Sequence, residues 1–196
     1  MTKRLILVTS PPACGKTFIS KKLSENLKHV VYLDKDTLIG LSNIIFDVAG
    51  EERNRSSQFF EEHIRNAEYE VIVTLALEAL QYDDIVLINA PFSREIRDLD
   101  YINLLKENLK KYNARLTIVW VETSLDVCKE RMIKRDSDRD TWKIEHWDEY
   151  IATRDFSIPK YLDDTDIIDD LLIFKNSSDD EYEFSMQNIL SIIENS

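Results

Sequence analysis

Residues 10–17 read Ser10-Pro11-Pro12-Ala13-Cys14-Gly15-Lys16-Thr17 and decide how the rest of the sequence is interpreted. The run before them, residues 5–9 (LILVT), is short and apolar, which is typical of a buried strand. After them, apolar residues recur at the spacing of one helix face, at Phe18, Ile19, Leu23 and Leu27. The octapeptide is therefore predicted to join a buried strand to a helix.

The same octapeptide nearly matches the phosphate-loop pattern, in which a glycine is followed by four residues and then by Gly-Lys-Ser/Thr. Here Ser10 replaces the first glycine, and Gly15, Lys16 and Thr17 complete the pattern. In such a loop, backbone N–H groups and the helix N-terminus surround a phosphate. Lys16 is expected to bridge the β- and γ-phosphates, and Thr17 to place its hydroxyl on Mg²⁺. The alternative is an ordinary strand-to-helix turn with a solvated lysine.

Strand-like and helix-like segments alternate along the whole chain. Strands are predicted at residues 5–9, 30–33, 85–88, 116–121 and 171–174, and helices at 16–28, 56–81, 102–112, 125–135 and 183–194. Residues 39–55 are assigned only as a mixed connection. Apolar strands separated by helices predict an α/β fold with a parallel sheet covered on both faces, whose ligands bind at the carboxyl ends of the strands.

Composition limits the classes of partner. The 196 residues fit one domain, 1–196, and 43% of them are hydrophobic, which is enough for a core. The net charge of −12 makes nucleic acid an unlikely partner and disfavours anionic membranes, but a basic cleft on an acidic body still suits a small anion. Two cysteines, Cys14 and Cys128, without paired spacing favour a reducing cytoplasmic location. Since Cys14 lies near a predicted helix N-terminus, its thiol pKa is expected to be lowered.

An acidic segment follows the second predicted strand, in Leu33-Asp34-Lys35-Asp36-Thr37-Leu38. This strand end lies beside the phosphate loop in an open α/β sheet, so a carboxylate there is able to accept a hydroxyl proton or hold a magnesium-bound water. The alternative is helix capping by Asp34 or Asp36. The third predicted strand ends in Asn89 where related folds place a magnesium-linked aspartate, and the alternative for Asn89 is a turn residue before Pro91.

Three arginines follow the fourth predicted strand at intervals of four, Arg131, Arg135 and Arg139. On a helix they share one face, where guanidinium groups are able to clamp a phosphate and offset charge on a transferred phosphoryl group. Interleaved acidic residues leave open a second interpretation, a solvated face with surface salt bridges.

The sequence resembles the adenylate-kinase-like group of P-loop kinases. SPPACGKT is similar to their GPPGxGKT loop, with Ser10 and Ala13 in place of glycines, and Asp34-Lys35-Asp36-Thr37-Leu38 resembles the segment that carries an aspartate in zeta toxins, chloramphenicol phosphotransferase and polynucleotide kinases. The resemblance implies a three-layer P-loop NTPase sandwich, a five-stranded parallel sheet in the order 2-3-1-4-5, and a helical lid over residues 128–158. A side chain at a positive-φ position of this loop is expected to cost about 1–2 kcal/mol.

The resemblance also implies roles for individual residues. Lys16, Asp36, Arg131 and Arg135 are the expected catalytic residues, with Asp36 as the base and Asp34 as the fallback. Thr17 and Asp36 are the expected metal ligands. Nucleotide contacts are expected at Pro12, Ala13, Cys14, Gly15, Lys16, Thr17, Phe18, Arg131 and Asn176, where Asn176 follows the last strand.

A base at Asp36 implies a hydroxyl acceptor. The expected function is therefore an ATP-dependent phosphotransferase that uses ATP and Mg²⁺ and moves the γ-phosphate to a hydroxyl of a small molecule. The alternatives are a nucleoside or nucleotide kinase, and a nucleotide-binding regulatory or toxin-like protein with little turnover. The protein is expected to be a monomer or weak dimer in the cytoplasm, without a membrane partner.

Overall fold

Five parallel strands form one sheet in the order β2–β3–β1–β4–β5, as the resemblance implied. The structure is a computed structural model that describes residues 2–164 and 168–195. The strands are β1 (Lys3–Thr9), β2 (Val30–Asp34), β3 (Ile85–Asn89), β4 (Ala114–Glu122) and β5 (Asp170–Lys175). This confirms the predicted α/β class and the predicted strand order.

Helices connect successive strands and lie on both faces of the sheet. They are α1 (Lys16–Asn26), α2 (Ile39–Ala49), α3 (Gln58–His63), α4 (Arg65–Ala79), α5 (Leu99–Lys110), α6 (Leu125–Arg135), α7 (Asp138–Glu145), α8 (Trp147–Ala152) and α9 (Asp179–Glu194). Helices α6, α7 and α8 follow β4 and make up most of the segment proposed as a lid. No helix among the described residues is both long enough and apolar enough to cross a membrane.

Alternation along β1 builds a core on each face of the sheet. Leu5 and Leu7 pack with α4 and α5 on one face, while Ile6 and Val8 pack with α1 and α9 on the other. All four side chains are fully buried, as expected for a central strand with helices above and below.

The region between β2 and β3 departs from the sequence-based prediction. Residues 39–49 form helix α2 rather than a mixed connection, and the single helix predicted over residues 56–81 is two helices that meet at Ile64. The break at Ile64 seats its side chain in a small core with Phe46 of α2 and Phe60 of α3. Packing of these three side chains therefore determines where the helix breaks. The spacing of apolar residues within 56–81 does not reveal this break.

The strand register brings three polar chain segments together at one edge of the sheet. Asp34, the last residue of β2, pairs with Asn89, the last residue of β3, and Asn89 also pairs with Val8 of β1. The loop after β1 therefore begins next to both polar strand ends. This is the carboxyl edge, where open α/β sheets bind their ligands.

Candidate nucleotide-binding and phosphoryl-transfer site

The loop between β1 and α1 has the strained backbone expected of a phosphate loop. Gly15 precedes the first residue of α1 with a φ of 90°, and Ala13 has a φ of 66°. A left-handed conformation is ordinary for glycine but costs a residue with a Cβ atom about 1–2 kcal/mol. Of the two glycine replacements noted in the sequence, Ala13 therefore carries backbone strain, whereas Ser10 does not adopt a positive φ.

Three side chains hold this loop through a single acceptor, the backbone oxygen of Cys14. Thr123 Oγ1 donates to it at 3.0 Å, Arg131 Nη1 at 3.2 Å and Asn176 Nδ2 at 2.8 Å. Arg131 also donates through Nη2 to the backbone oxygen of Asn176 at 2.9 Å. The loop, helix α6 and the segment after β5 are thus joined in one hydrogen-bonded cluster.

The side chain of Cys14 points away from solvent into the core. Its Sγ atom lies 3.6 Å from Sγ of Cys128, and both residues are buried. The hydrogen bond between the two thiols, together with burial, raises the pKa of the Cys14 thiol. The expected lowering of this pKa by the helix N-terminus is wrong, because a buried thiol beside a second thiol disfavours the thiolate.

Lys16 projects from the start of α1 toward the end of β3. Its Nζ atom donates a hydrogen bond to Asn89 Oδ1 at 2.6 Å. Burial lowers the pKa of Lys16 to about 8, even though Asp36 and Asp34 act in the opposite direction. A neutral amide partner offsets less of the desolvation cost than a carboxylate at the same position would.

Asn89 connects the polar groups at the carboxyl edge. Its Nδ2 atom lies 2.9 Å from Asp34 Oδ2 and 3.3 Å from both Thr17 Oγ1 and Tyr32 OH. Tyr32 OH donates to the same Asp34 oxygen at 2.9 Å, and Asp34 Oδ1 accepts from the backbone N–H of Asp36 at 3.0 Å. Both oxygens of the Asp34 carboxylate are therefore already hydrogen-bonded, one of them to the backbone N–H of Asp36. This corresponds to the helix-capping alternative.

Asp36 stands beyond that network with 66% of its side chain exposed. Its Oδ1 atom lies 3.6 Å from Lys35 Nζ, and Lys35 is itself buried and donates to Glu68 Oε2 at 2.9 Å. Lys35 thus anchors the Asp36 carboxylate to α4. Sequence reasoning missed Lys35, Glu68 and Tyr32 as parts of the site. In the case of Lys35, the reason is that a lysine between two aspartates is usually solvated.

Arg135, at the end of α6, is paired within the proposed lid. Its Nε atom donates to Asp140 Oδ2 at 2.8 Å, and Lys143 Nζ donates to the other oxygen of the same carboxylate at 3.0 Å. Asp140 is fully buried, and burial acts against the net lowering of its pKa that Lys143 and Arg135 produce. The side chain of Arg139, the third arginine of the series, lies outside the described residues.

A cavity of about 720 Å³ opens at this edge of the sheet. Its volume suits a nucleotide together with a small second ligand. Nine of the eleven predicted site residues line it: Pro12, Ala13, Gly15, Lys16, Thr17, Phe18, Asp36, Arg131 and Arg135. Cys14 and Asn176 do not, and Asn176 instead donates its hydrogen bond to the backbone oxygen of Cys14. Phe18 is exposed at the rim, where its ring centroid lies 5.7 Å from that of Tyr182.

The donor set is compatible with Mg²⁺. Mg²⁺ in phosphate-binding sites takes one or two protein oxygens, and substrate phosphates and water supply the rest. The Thr17 hydroxyl and the Asp36 carboxylate provide such oxygens in the cavity that Lys16 lines. Within residues 2–164 and 168–195 there is no group of three or more His, Cys, Asp or Glu residues that could hold a metal by themselves.

The strand order and the loop at the carboxyl edge are those of the α/β P-loop NTPase fold, as the resemblance implied. Residues 5–156 match the protein family described as an AAA domain, and the protein belongs to that family. No curated protein matches the chain.

Solved structures with the same fold include proteins of several kinds. A "putative kinase" from Chloroflexus aurantiacus is 20% identical with a TM-score of 0.68, and the match covers 100% of this chain and 98% of that one. A sugar kinase from Janibacter is 13% identical with a TM-score of 0.57, covering 98% and 95%. Kti12 from Chaetomium thermophilum in complex with ADP-AlF3 is 19% identical with a TM-score of 0.56, covering 97% of both chains. At these identities the similarity defines the fold.

Proposed function

We propose that the protein is an ATP-dependent phosphotransferase that moves the γ-phosphate to a hydroxyl group of a small molecule. The observation that carries the proposal is that Lys16 of the phosphate loop and the exposed carboxylate of Asp36 line one cavity. A phosphate-binding lysine and an exposed carboxylate in one cavity suit phosphoryl transfer to a hydroxyl group.

Bound Mg-ATP would supply the γ-phosphoryl group, and Mg²⁺ would supply positive charge that neutralises its oxygens. Lys16 and Arg131 would hold the phosphates from opposite sides of the loop. Asp36 would orient the acceptor hydroxyl and accept its proton at a carboxylate oxygen, and Lys35 would keep that carboxylate in place. Thr17 and Asp36 are the proposed metal ligands.

Arg135 would reach the transferring phosphoryl group by breaking its ion pair with Asp140 and pairing with the phosphate instead. Asp140 is buried, so leaving its carboxylate without a partner would cost several kcal/mol. Lys143 remains paired with the other oxygen of Asp140, so the carboxylate keeps a cation when Arg135 leaves. The proposed lid, residues 128–158, is then able to close over the cavity and exclude water.

An ADP-release assay tests the proposal. The purified protein is screened with Mg-ATP against hydroxyl metabolites, nucleosides, aminoglycosides and nucleotide sugars, with Lys16→Ala as the inactive control. We expect ADP release that depends on one acceptor class, and Mg-ATP binding by calorimetry that Lys16→Ala abolishes. Absence of Mg-ATP binding by the wild-type protein would rule out the proposed function.

Substitution of the base separates this proposal from the first alternative, a nucleoside or nucleotide kinase, whose phosphate acceptor needs no base. We expect Asp36→Asn to lower turnover by roughly 10²- to 10⁴-fold, the usual contribution of a general base, while binding of ATP without Mg²⁺ is retained. Asp180→Asn is the matched control, since Asp180 is exposed in the first turn of α9. Full activity of Asp36→Asn on the identified acceptor would favour a phosphate acceptor instead.

The neutral side chain of Asn89 favours a second candidate, a nucleotide-binding regulatory or toxin-like protein with little turnover. Asn89 stands where related folds use an aspartate, and it brings no charge toward a metal ion. This candidate predicts Mg-ATP binding without acceptor-dependent ADP release. Restoring the carboxylate with Asn89→Asp would then raise the rate of ATP hydrolysis.

A further inference from the structure

The charge of the cavity lining is opposite in sign to the net charge of the whole chain. The protein has a net charge of −12, yet seven basic side chains and two acidic ones line the cavity. The basic residues are Lys16, Arg94, Arg97, Arg131, Arg135, Lys143 and Arg154, and the acidic ones are Asp36 and Asp155. A concentration of cations in a cleft of an acidic protein marks the place where an anionic ligand binds.

The proposed nucleotide site accounts for only part of this charge. Lys16, Arg131 and Arg135 belong to the phosphate loop and to α6, and Lys143 is paired with Asp140. The other three basic residues come from two different chain segments. Arg94 and Arg97 follow β3, and Arg154 follows α8.

These three arginines differ in how far their charge is already compensated. Arg97 donates to Asp155 Oδ2 and to the backbone oxygen of Ser157, both at 2.8 Å, and so ties the segment after β3 to the end of the proposed lid. Arg94 forms an exposed ion pair with Glu61, which is a weak interaction in solvent. Arg154, next to Asp155, is exposed and makes no hydrogen bond or ion pair within the described part of the chain.

Apolar residues also line the cavity beside these arginines. Pro91, Ile96 and Trp120 are among them, and Pro91 is exposed whereas Ile96 and Trp120 are buried in the core. The wall therefore offers Pro91 to a carbon skeleton and guanidinium groups to an anion. Small-molecule sites likewise combine apolar contacts with charged groups that fix orientation.

We infer that the acceptor is a small hydroxyl compound that also carries a carboxylate or phosphate group, and that Arg154 and Arg97 bind this anion. The inference rests on the proposed function, since it assigns the part of the same cavity that the nucleotide does not use. Arg154 provides a charge that no ion pair within the described residues compensates, and Arg97 provides a guanidinium that Asp155 and Ser157 hold in place. A carboxylate and a phosphate both suit a guanidinium fork.

Matched acceptors test the inference. Two series differ only in the group on one terminal carbon: glycerol, glycerate and glycerol 3-phosphate, and glucose, glucuronate and glucose 6-phosphate. We expect ADP release with charged members, at a kcat/KM roughly tenfold or more above that of the neutral member of the same series. The carboxylate and phosphate members separate the two sources of the anion. As a readout without turnover, we expect the same charged members to raise the unfolding temperature of the protein saturated with Mg-ADP.

Substitution of Arg154 locates the anion. We expect Arg154→Gln to raise the KM of the charged acceptor roughly tenfold or more while the KM of ATP is unchanged, and Arg154→Lys to recover part of the loss. Arg53→Gln is the matched control, because Arg53 pairs with Asp47 on the surface and does not line the cavity. Arg154 is exposed and makes no hydrogen bond or ion pair with the residues that the structure describes, so Arg154→Gln is expected to fold normally.

Three outcomes would overturn the inference. Turnover confined to neutral acceptors would do so while leaving the proposed function intact. A rise in the KM of ATP rather than of the acceptor in Arg154→Gln would place this arginine on the nucleotide. Failure of the wild-type protein to bind Mg-ATP would remove the proposed function, and the inference with it.

Discussion

Lys16 carries a charge at the phosphate loop that attracts a phosphate to the site. Its pKa of about 8 means that the free protein loses this charge as the pH rises through 8. A bound phosphate favours the charged amine, so nucleotide binding takes up a proton. We expect the affinity for Mg-ADP to fall above pH 8, with a slope that approaches roughly tenfold per pH unit. Calorimetry at pH 7 to 9.5, in buffers of different ionisation enthalpy, measures both the affinity and the proton uptake.

Lys16→Arg is the control for this pH dependence. A guanidinium remains charged over the whole range, so the slope is expected to disappear even if the absolute affinity is lower. Proton uptake at pH 8 should disappear with it. An equal slope in the wild-type protein and Lys16→Arg would assign the pH dependence to another group.

The three glycines of the chain allow the effect of a positive φ to be measured separately from the effect of steric crowding. A Cβ atom on Gly15 would lie 2.6 Å from Asn176 Nδ2 and 3.3 Å from Arg131 Nη1, at a φ of +90°. Gly50 has a φ of +72° with open space around it, and Gly40 has neither constraint. We expect Gly15→Ala to abolish Mg-ADP binding and Gly50→Ala to cost about 1–2 kcal/mol with binding retained. Gly40→Ala should stabilise α2 by about 0.5–1 kcal/mol.

Urea unfolding and calorimetry on the three variants check this ordering. Gly15→Ala with wild-type affinity would mean that the contacts of Arg131 and Asn176 at the Cys14 carbonyl do not shape the loop for phosphate. Equal loss of binding in Gly50→Ala would point to a general effect on folding instead.

At the scale of single residues, the sequence predicts which side chains approach the phosphate loop but not how they are paired. The pattern around Gly15 and Lys16 is enough to place the loop, because its chemistry needs those residues at that spacing. The different roles of Asp34 and Asp36 follow from two hydrogen bonds to Asp34, one that Tyr32 donates within β2 and one that Asn89 donates from β3. Asn89 is distant from Asp34 in sequence, so spacing cannot reveal this pairing.

Among the elements, the junction of β2, α2 and α4 depends on one buried carboxylate. Glu68 accepts hydrogen bonds from Lys35 and from Ser42 at 2.9 and 2.5 Å, and from both Arg55 terminal nitrogens. Burial alone would raise the pKa of Glu68, but the hydrogen bonds from Arg55, Ser42 and Lys35 hold it at about 2. The ionised carboxylate therefore stabilises the folded state.

Neutralising Glu68 tests this junction. We expect Glu68→Gln to lower the free energy of unfolding by about 3 kcal/mol at pH 7, because Lys35 is left buried without its anion. The folded pKa lies below the ordinary value of 4.5, so the contribution of Glu68 is present above pH 4.5 and is lost as the pH falls toward 2. Glu68→Gln should lack this part of the acid destabilisation.

Urea titrations between pH 2.5 and 7 measure both effects. The control is Glu25→Gln, which removes an exposed pair with Lys22 and should change stability by less than about 1 kcal/mol. Equal pH profiles for the wild-type protein and Glu68→Gln would show that Glu68 does not stabilise this junction.

Element boundaries were predicted best where a helix has one apolar face. Helix α6 has the predicted limits, whereas α2 exposes Leu41, Ile44 and Val48 and buries Ser42 and Phe46. Apolar residues around most of its circumference hide the helical period of α2, and this explains why residues 39–49 were not recognised as a helix.

At the scale of the whole molecule, the charge of the surface and the charge of the cavity have opposite signs. With a net charge of −12 the folded chain repels itself, while the cavity attracts anions through its basic lining. We expect added KCl to raise the unfolding temperature by screening the surface and, at constant free Mg²⁺, to weaken Mg-ADP binding. Thermal unfolding and calorimetry over 0.05 to 0.5 M KCl (about 14 to 4 Å of screening length) provide the comparison.

Uncharged sucrose, added at matched osmolality, is the control for this comparison. Sucrose should raise the unfolding temperature without weakening the binding of Mg-ADP. Salt responses of the same sign for stability and affinity would contradict the separation of surface and cavity charge.

The fold itself was predictable because its information is local. Short apolar runs mark the strands, helical segments separate them, and the phosphate-loop pattern selects the topology, so the strand order matched the resemblance. The sequence does not predict that Arg97 and Arg154 line the same cavity, because these two residues are far apart in sequence. The bonds of Arg97 to Asp155 and Ser157 bring their two segments together.

The Cys14 carbonyl, with three side chains bonded to it, has a consequence for the thermodynamics of binding. Thr123, Arg131 and Asn176 hold the loop in place before any phosphate arrives, and Ala13 leaves the backbone less freedom than a glycine would. Little conformational entropy then remains to be lost when a nucleotide binds. A glycine-rich loop without these contacts must order itself on binding, so this loop should bind its phosphates with a smaller entropic penalty.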